Sequence, residues 1–301
     1  MTNAKLVWQV LKFSAKKFGK DKPVELASSL AFFTILAIPP ILIILITILG
    51  WIMGEQNASK EVYTQIRALI GEEGTGMITD VVASYRSTDR DTLGMIIGIV
   101  VFVLASTTFF VTIQNSLNAI WKVKSKPKSN LLKILIDRSM SIGIIISLAF
   151  IILVSLLLDT MVAIMGKNIS DIVPWLDETL IYGIDILISL SLATIVFMIL
   201  FKFLPDVKIK WRVTFVGALI TAVFFTIGKF LIGLGLGNSD IGNMYGAAGS
   251  VIIVLLWVFY SSLILFFGAE ITQQYAEQVD KDIRPKKYAV KVETREVVKP
   301  D

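Results

Sequence analysis

The 301-residue sequence contains no cysteine and no histidine. The missing cysteine excludes disulfides, thiolate metal sites and thiol catalysis. The missing histidine removes the commonest general base and the common ligand of zinc sites. Charged residues make up only 18% of the chain, whereas 55% of the residues are hydrophobic, outside the usual range of soluble domains. The composition predicts an integral membrane protein, for which we expect neither a metal site nor a cofactor.

Long apolar runs set the predicted architecture. About 20 apolar residues in a helix, at about 1.5 Å per residue, cross the roughly 30 Å hydrocarbon core of a bilayer. Runs of at least that length occur at 26–54, 92–121, 139–165, 179–201, 213–237 and 250–272. The sequence therefore predicts an all-α integral membrane protein with six transmembrane helices, in one membrane domain over residues 1–280.

Basic residues are distributed unequally between the two sides of this arrangement. Of the 29 Lys and Arg residues, 23 fall before span one, between spans two and three, between spans four and five, or in the tail. The loops of the other side hold five, and Lys229 lies within span five. Because loops rich in Lys and Arg stay in the cytoplasm, we expect both termini to be cytoplasmic.

Three polar segments lie outside the spans. Residues 3–20 carry an apolar and a basic face, which predicts an amphipathic helix in the cytoplasmic interface, although a solvated basic arm would also fit. Residues 55–91 repeat apolar side chains at helical spacing on both sides of a glycine cluster, which predicts a short extracellular helical hairpin between helices 1 and 2. Residues 281–301 are charged and predict a disordered cytoplasmic tail.

Two spans carry features that suggest a transport path. Pro39 and Pro40 fall in the middle of span one and predict a kink or short break, which in membranes often borders a cavity. Four polar residues of span two are expected to face the bundle interior or a wet cavity: Thr108, Thr112, Asn115 and Asn118. Hydrogen bonds between helices would explain these four residues equally well.

Ionisable residues within the spans form a third candidate feature. Lys229 in span five, Asp185 in span four and Asp159 in span three lie at similar depth in the outer half of the membrane. An unpaired ammonium at such depth costs about 2.5 kcal/mol or more. We therefore predict that Lys229 pairs with one of the aspartates or shares a water-filled cavity with them. A fixed structural ion pair, or snorkelling of Lys229 to the interface, is the alternative.

Several short motifs in fixed order resemble one family. They are Phe203-Leu204-Pro205 with the basic Trp211-Arg212, then Tyr245-Gly246-x-x-Gly249-Ser250, then Gly268-Ala269-Glu270. With these motifs the sequence resembles the YihY/BrkB family of bacterial inner-membrane proteins, once labelled ribonuclease BN. The resemblance implies six helices in the bacterial inner membrane. The residues that belong to the family motif are Pro205, Tyr245, Gly246, Gly249, Gly268 and Glu270.

The sequence leaves two classes of function open and argues against a third. The polar spans favour a transporter or flippase-like permease, whose substrate would be lipid-linked or a small polar or anionic molecule. A non-transporting membrane scaffold or envelope assembly factor is the alternative. An intramembrane enzyme is not expected, because the chain lacks a G-x-S-x-G elbow and an HExxH motif. A nuclease is not expected either, because the chain lacks histidine and a Walker loop and its acidic residues are not clustered as a metal-ion nuclease needs. The expected partners are membrane lipids and the substrate but no nucleic acid, and homo-oligomerisation stays open.

Overall fold

The computed structural model describes residues 3–87, 108–126, 139–140, 142–155, 178–237, 249–279 and 283–293. Helices dominate these residues. In chain order they are α1 Asn3–Phe18, α2 Pro23–Met53, α3 Glu55–Ser87, α4 108–120, α5 Ile142–Ser155, α6 Glu178–Phe203, α7 Trp211–Gly237 and α8 Gly249–Val279. Four short strands accompany them: β1 Val123–Ser125, β2 Val207–Lys208, β3 Arg284–Pro285 and β4 Ala289–Lys291.

Four of the described helices are long and apolar enough to cross a membrane. They are α2 and long stretches of α6, α7 and α8. The shorter apolar helix α5 and helix α4 fall within predicted spans three and two. The all-α membrane fold is thereby confirmed. The count of six spans stays a prediction, since parts of spans two and three lie outside the described residues.

Helix α2 runs through the double proline without a break. It begins with Pro23 in its first turn, where the missing N–H costs nothing, and is followed by Gly54 at φ 83°, a conformation that favours glycine. The predicted short break at Pro39 and Pro40 is therefore absent, and the kink, the other form of that expectation, stays a prediction. Each proline removes only its own backbone donor, and packing of the apolar helix against α3 and α8 sustains the helix on both sides.

The insertion after α2 is helical, as predicted. Within α3 the backbone leaves the helical conformation at Gly71, where φ is 78°. Only this glycine interrupts the helix, because Gly74 and Gly76 are themselves helical. Val62 on one side of the interruption, and Ile78 and Val82 on the other, are buried in the main core. The predicted apolar spacing therefore packs this insertion onto the bundle.

The C-terminal segment forms strands where disorder was expected. Strand β4 pairs antiparallel with β1, and β3 pairs antiparallel with β2. Val123, Val207 and Ile209 are buried together, and Ile283 packs against them. The predicted disorder of residues 281–301 is therefore wrong for 283–293. The local composition is charged, but backbone pairing with the loops after α4 and α6, together with this small apolar cluster, orders the segment.

Helix α1 packs against α8. Its buried side chains include Val10 and Ser14, while Trp8 and Phe13 are exposed. The packing agrees with an amphipathic helix on the surface of the membrane domain. Lys17 in the last turn reaches inward, so the contact with α8 includes a charge that the apolar pattern did not predict.

Candidate functional site

The polar groups that the fold brings together lie at one end of the bundle, which we call the basic end. It contains α1, the turn at 122–126, the loop at 204–210 and the segment 283–293. Strand pairing connects the last three, and a contact from Lys17 Nζ to the carbonyl of Ile120, 3.4 Å, connects the first. These are segments that the charge count had already assigned to one side of the membrane.

A completely buried aspartate is the first polar centre of this end. Gln114 Nε2 donates to Asp206 Oδ1 at 3.1 Å, and Asn118 Nδ2 donates to Oδ2 at 2.8 Å. In return the backbone N–H of Asp206 donates to Asn118 Oδ1 at 2.7 Å. All three side chains are buried. We call these three residues the Asp206 centre.

Local sequence explains how the Asp206 centre forms. Gln114 and Asn118 are four residues apart in α4, so their amides stand one turn apart on the same face. Helix α6 ends at Phe203, just before Pro205, because proline disfavours a helical residue before it and cannot donate to the helix. The chain then turns into β2, which places Asp206 opposite the two amides.

The C-terminal segment holds the loop of the Asp206 centre from outside. The backbone N–H of Lys286 donates to the Asp206 carbonyl at 2.9 Å, and Lys286 Nζ donates to the Phe203 carbonyl at 3.0 Å. Burial lowers the pKa of Lys286 below its ordinary value, and the nearby Asp206 carboxylate opposes that shift. The loop is therefore bonded to α4 on one side and to residues near β3 on the other.

A second polar centre joins α1 to α8. The Glu270 side chain is completely buried, and Lys17 Nζ lies 2.6 Å from its Oε1. Lys17 also donates to Gln273 Oε1 and lies 3.6 Å from Asp21. Since Lys17 additionally reaches the carbonyl of Ile120, one ammonium ties the end of α4, α1 and α8 together.

The polar face predicted for span two is only partly internal. Asn118 is buried, Thr108 and Thr112 are half-buried, and Asn115 is exposed. The expectation that Asn115 faces the interior is therefore wrong. The buried residues of α4 are Phe110, Ile113, Gln114, Ser116, Leu117, Asn118 and Ile120. Asn115 lies one position, about 100° of helix rotation, beyond Gln114 and is not among them. Thr112 donates to the Thr108 carbonyl within its own helix at 2.8 Å.

Of the three ionisable residues predicted to lie together in the outer half of the membrane, only Lys229 has a side chain that the structure describes. Lys229 is exposed on α7, and none of the described carboxylates forms an ion pair with it. Asp159 and the side chain of Asp185 lie outside the description, as do Tyr245 and Gly246. The pairing of Lys229 with either aspartate therefore stays a prediction.

The remaining motif residues have structural positions. Pro205 is buried beside the Asp206 centre, and Gly249 is buried at the start of α8. Gly268 is buried where α8 crosses α7, and a β-carbon built there would lie 2.0 Å from Thr221 Oγ1. Along α2, Pro40 is buried and Pro39 half-buried. Among the motif residues that the structure describes, Pro205 and Glu270 lie at the basic end.

Sequence reasoning missed Asp206, Gln114 as its partner, and the role of Lys17. The signal for Asp206 was present, because two amides at i and i+4 in an apolar helix require a polar partner, and the only aspartate of the motif after span four follows its proline directly. No comparable pattern pointed from Lys17 to Glu270.

Comparisons with known proteins give the family. The profile of the Virulence factor BrkB family matches residues 14–292. Among curated relatives, the UPF0761 membrane protein of Ralstonia nicotianae is 25% identical over 86% of this chain and 57% of its own length. The UPF0761 membrane protein of Pseudomonas paraeruginosa is 26% identical over 86% of this chain and 60% of its own length. The UPF0761 membrane protein of Tolumonas auensis is 23% identical over 92% of this chain and 89% of its own length.

The chain thus spans less than two thirds of the length of the first two of these relatives. No solved structure matches it. The family match covers both polar centres, all the predicted spans and the C-terminal strands. The chain belongs to the Virulence factor BrkB family.

Proposed function

We propose that this protein is a transporter or flippase-like permease of the bacterial inner membrane, which moves a lipid-linked or small polar or anionic molecule without catalysing covalent chemistry. Its basic end is cytoplasmic. The observation that carries the proposal is the Asp206 centre, in which a fully buried carboxylate of the loop after α6 is held by neutral amides from α4.

A buried charge lowers the stability of the junction that contains it unless its partners compensate. Moving a carboxylate out of water costs several kcal/mol, and well-packed apolar residues of similar volume would often stabilise the same junction better. A polar closure is useful where the junction must also open, because its donors and acceptors can bond to water in the open state. The Asp206 centre therefore suits a latch that closes the basic end.

Opening of the latch would separate α4 from the loop after α6. Gln114 and Asn118 would exchange the Asp206 carboxylate for water or for a polar substrate group. Both closed and open arrangements would then satisfy their hydrogen bonds, which is the condition for two states of similar free energy. Transporters commonly alternate in this manner around a site within the membrane.

Transport is tested in proteoliposomes. Purified protein is reconstituted with trace fluorescent phosphatidylglycerol, and outward-facing probe is bleached with dithionite. We expect faster loss of the inner-leaflet probe than in empty vesicles, and faster still with Gln114→Met, which removes one latch hydrogen bond while keeping the volume. Asn115→Met, on the exposed side of the same helix, is the matched control and should behave like wild type.

A substrate search in cells complements that assay. Lipids and small anions that change in a deletion strain are loaded into the same vesicles. If folded protein moves none of them and Gln114→Met changes nothing, the transport proposal is overturned. Orientation is tested separately with the cysteine-free chain: an impermeant thiol reagent should label Gln56→Cys, but not Lys287→Cys, in intact cells.

The scaffold alternative has one observation in its favour. Helices α7 and α8 are in close contact through Gly217 and Gly268, which indicates a rigid pair. A scaffold would use the Asp206 centre only to fasten α4. It predicts that the Gln114→Met protein loses stability, and that neither variant moves a solute.

A further inference from the structure

A cavity at the basic end is lined mainly by lysines. Its volume is about 330 Å³, and we call it the lysine cavity; its lining residues are Phe13, Lys16, Lys17, Lys20, Asp21, Lys122 and Gln274. We infer that the lysine cavity binds the phosphate of an anionic phospholipid headgroup from the adjoining leaflet. This inference does not depend on transport, because a bound lipid would be recognised whether or not it is moved.

The charge of the cavity favours an anion. Four lysines face a single aspartate. Lys17 is already engaged by Glu270 at 2.6 Å and by Asp21 at 3.6 Å. In the part of the chain that the structure describes, no carboxylate pairs with Lys16, Lys20 or Lys122. Three ammonium groups are thus left to attract a ligand, and lysine is a common partner of phosphate oxygens.

The backbone fixes one of these lysines in an uncommon conformation. Lys122 has φ 53°, in the left-handed region that a lysine seldom adopts. Its N–H donates to the Ala119 carbonyl at 3.1 Å, and its own carbonyl accepts the N–H of Val292 at 2.8 Å. Bonds on both sides therefore hold the turn after α4, so that Lys122 lines the cavity opposite α1. Backbone strain of this kind is often found where a side chain is held in place for binding.

The depth of the cavity indicates a lipid rather than a free anion. The charge-free run of α8 ends at Ala269, and Gln274 lies one helical turn, about 6 Å, beyond Glu270. The cavity therefore adjoins the point where an apolar span gives way to polar residues, the level of lipid headgroups. Phe13 contributes an aromatic ring to the lining although 53% of it is exposed, and Trp8 of the same helix is 69% exposed. Exposed aromatic rings beside lysines are typical of the membrane interface.

The size of the cavity agrees with the same ligand. Binding sites for small molecules usually enclose about 300–1,000 Å³. At about 330 Å³ the lysine cavity accommodates a headgroup, while the acyl chains would remain in the bilayer beside α1. Basic pockets between helices near the cytoplasmic leaflet recognise anionic headgroups by this combination of charge and position.

The test compares two charge-matched triple variants of the full chain. Lys16→Gln/Lys20→Gln/Lys122→Gln neutralises the cavity and leaves the Lys17–Glu270 pair untouched. The control, Lys208→Gln/Lys287→Gln/Lys291→Gln, removes three exposed lysines from the same end outside the cavity. Binding of dioctanoyl-phosphatidylglycerol to detergent-purified protein is measured by native mass spectrometry and by microscale thermophoresis, with dioctanoyl-phosphatidylcholine and glycerol phosphate as comparison probes.

We expect affinity for the phosphatidylglycerol to fall about tenfold or more in the cavity variant and less than about threefold in the control, since each lysine near an anionic surface contributes several-fold. Equal losses in both variants would assign the binding to the general charge of this end and overturn the site. Equal binding of the phosphatidylcholine would exclude selection for an anion. If glycerol phosphate binds as tightly as the lipid and is lost in the same variant, the cavity is a site for free anions and the lipid assignment is overturned.

Discussion

The contact between α7 and α8 allows a sharp test of the packing. A β-carbon built at Gly217 would lie 1.9 Å from Thr272 Oγ1 and 2.7 Å from Thr272 Cβ. Rotating Thr272 moves its hydroxyl, but its β-carbon is fixed to the backbone. Gly217→Ala therefore requires the two helices to separate. Glycines at such crossings let helices associate in membranes, where packing rather than water exclusion drives association.

The size of the effect follows from two opposing contributions. Alanine in place of a helical glycine stabilises by about 1 kcal/mol where there is room. Overpacking a well-filled contact costs about 1–3 kcal/mol, and this contact lies at the severe end because a β-carbon is involved. We expect Gly217→Ala to lose about 1–2 kcal/mol net. A β-carbon built at Gly143 in α5 would have no described atom within 4 Å apart from its own helix backbone and chain neighbours. Gly143→Ala should therefore be neutral or stabilising.

The assay is thermal unfolding of detergent-purified protein, followed by the loss of the monodisperse peak in size-exclusion chromatography. The order of midpoints should be Gly143→Ala at or above wild type, and Gly217→Ala below it. Exchanging the small residue across the contact, as Gly217→Ala/Thr272→Gly, removes the collision and should recover part of the loss. A Gly217→Ala protein that melts at or above wild type would show that the helices are not in such close contact.

Three further predictions concern the basic end. Asn118→Ala should lower the free energy of unfolding in denaturant by about 2–3 kcal/mol, because a buried carboxylate and a backbone N–H lose their partner. The control Asn115→Ala should change it by less than about 0.5 kcal/mol, and equal effects of the two variants would contradict the assigned faces. Lys17→Met should lower the free energy of unfolding by about 3–5 kcal/mol, because it leaves Glu270 buried and unpaired. The double variant Lys17→Met/Glu270→Gln should be more stable than the single variant, and additive losses of the two substitutions would contradict the ion pair. Burial lowers the pKa of Lys286, so the unfolded chain holds this proton more tightly than the folded chain does. The free energy of unfolding, measured at stepped pH, should therefore rise as the pH approaches 10.5. Lys286→Met should flatten that rise, and an unchanged slope would refute the assignment.

The polar centres show how far local patterns reach. That Asn118 would be buried followed from an amide in an apolar helix, but the same reasoning placed Asn115 inside, because periodicity defines faces without saying which one is covered. The partner of Asn118 is 88 residues away at Asp206, in a loop whose direction depends on how α6 packs. Helical periodicity carries no information about a contact at that distance.

By itself the sequence determined the class of the protein. The lengths of the apolar runs specify membrane helices because crossing a bilayer requires a set number of residues, and the helical insertion at 55–87 followed from its apolar spacing. Motif order was enough to indicate the family that the comparisons then showed.

Only the tertiary structure decided which polar groups meet. It brought Lys17 to Glu270 across α1 and α8, and placed the charged C-terminal segment in strands against β1 and β2. The physical reason is that a buried charge or an unpaired strand edge is satisfied by whatever partner packing brings within hydrogen-bond distance. That partner is a property of the assembled helices, whereas the need for one can be read from the residue itself.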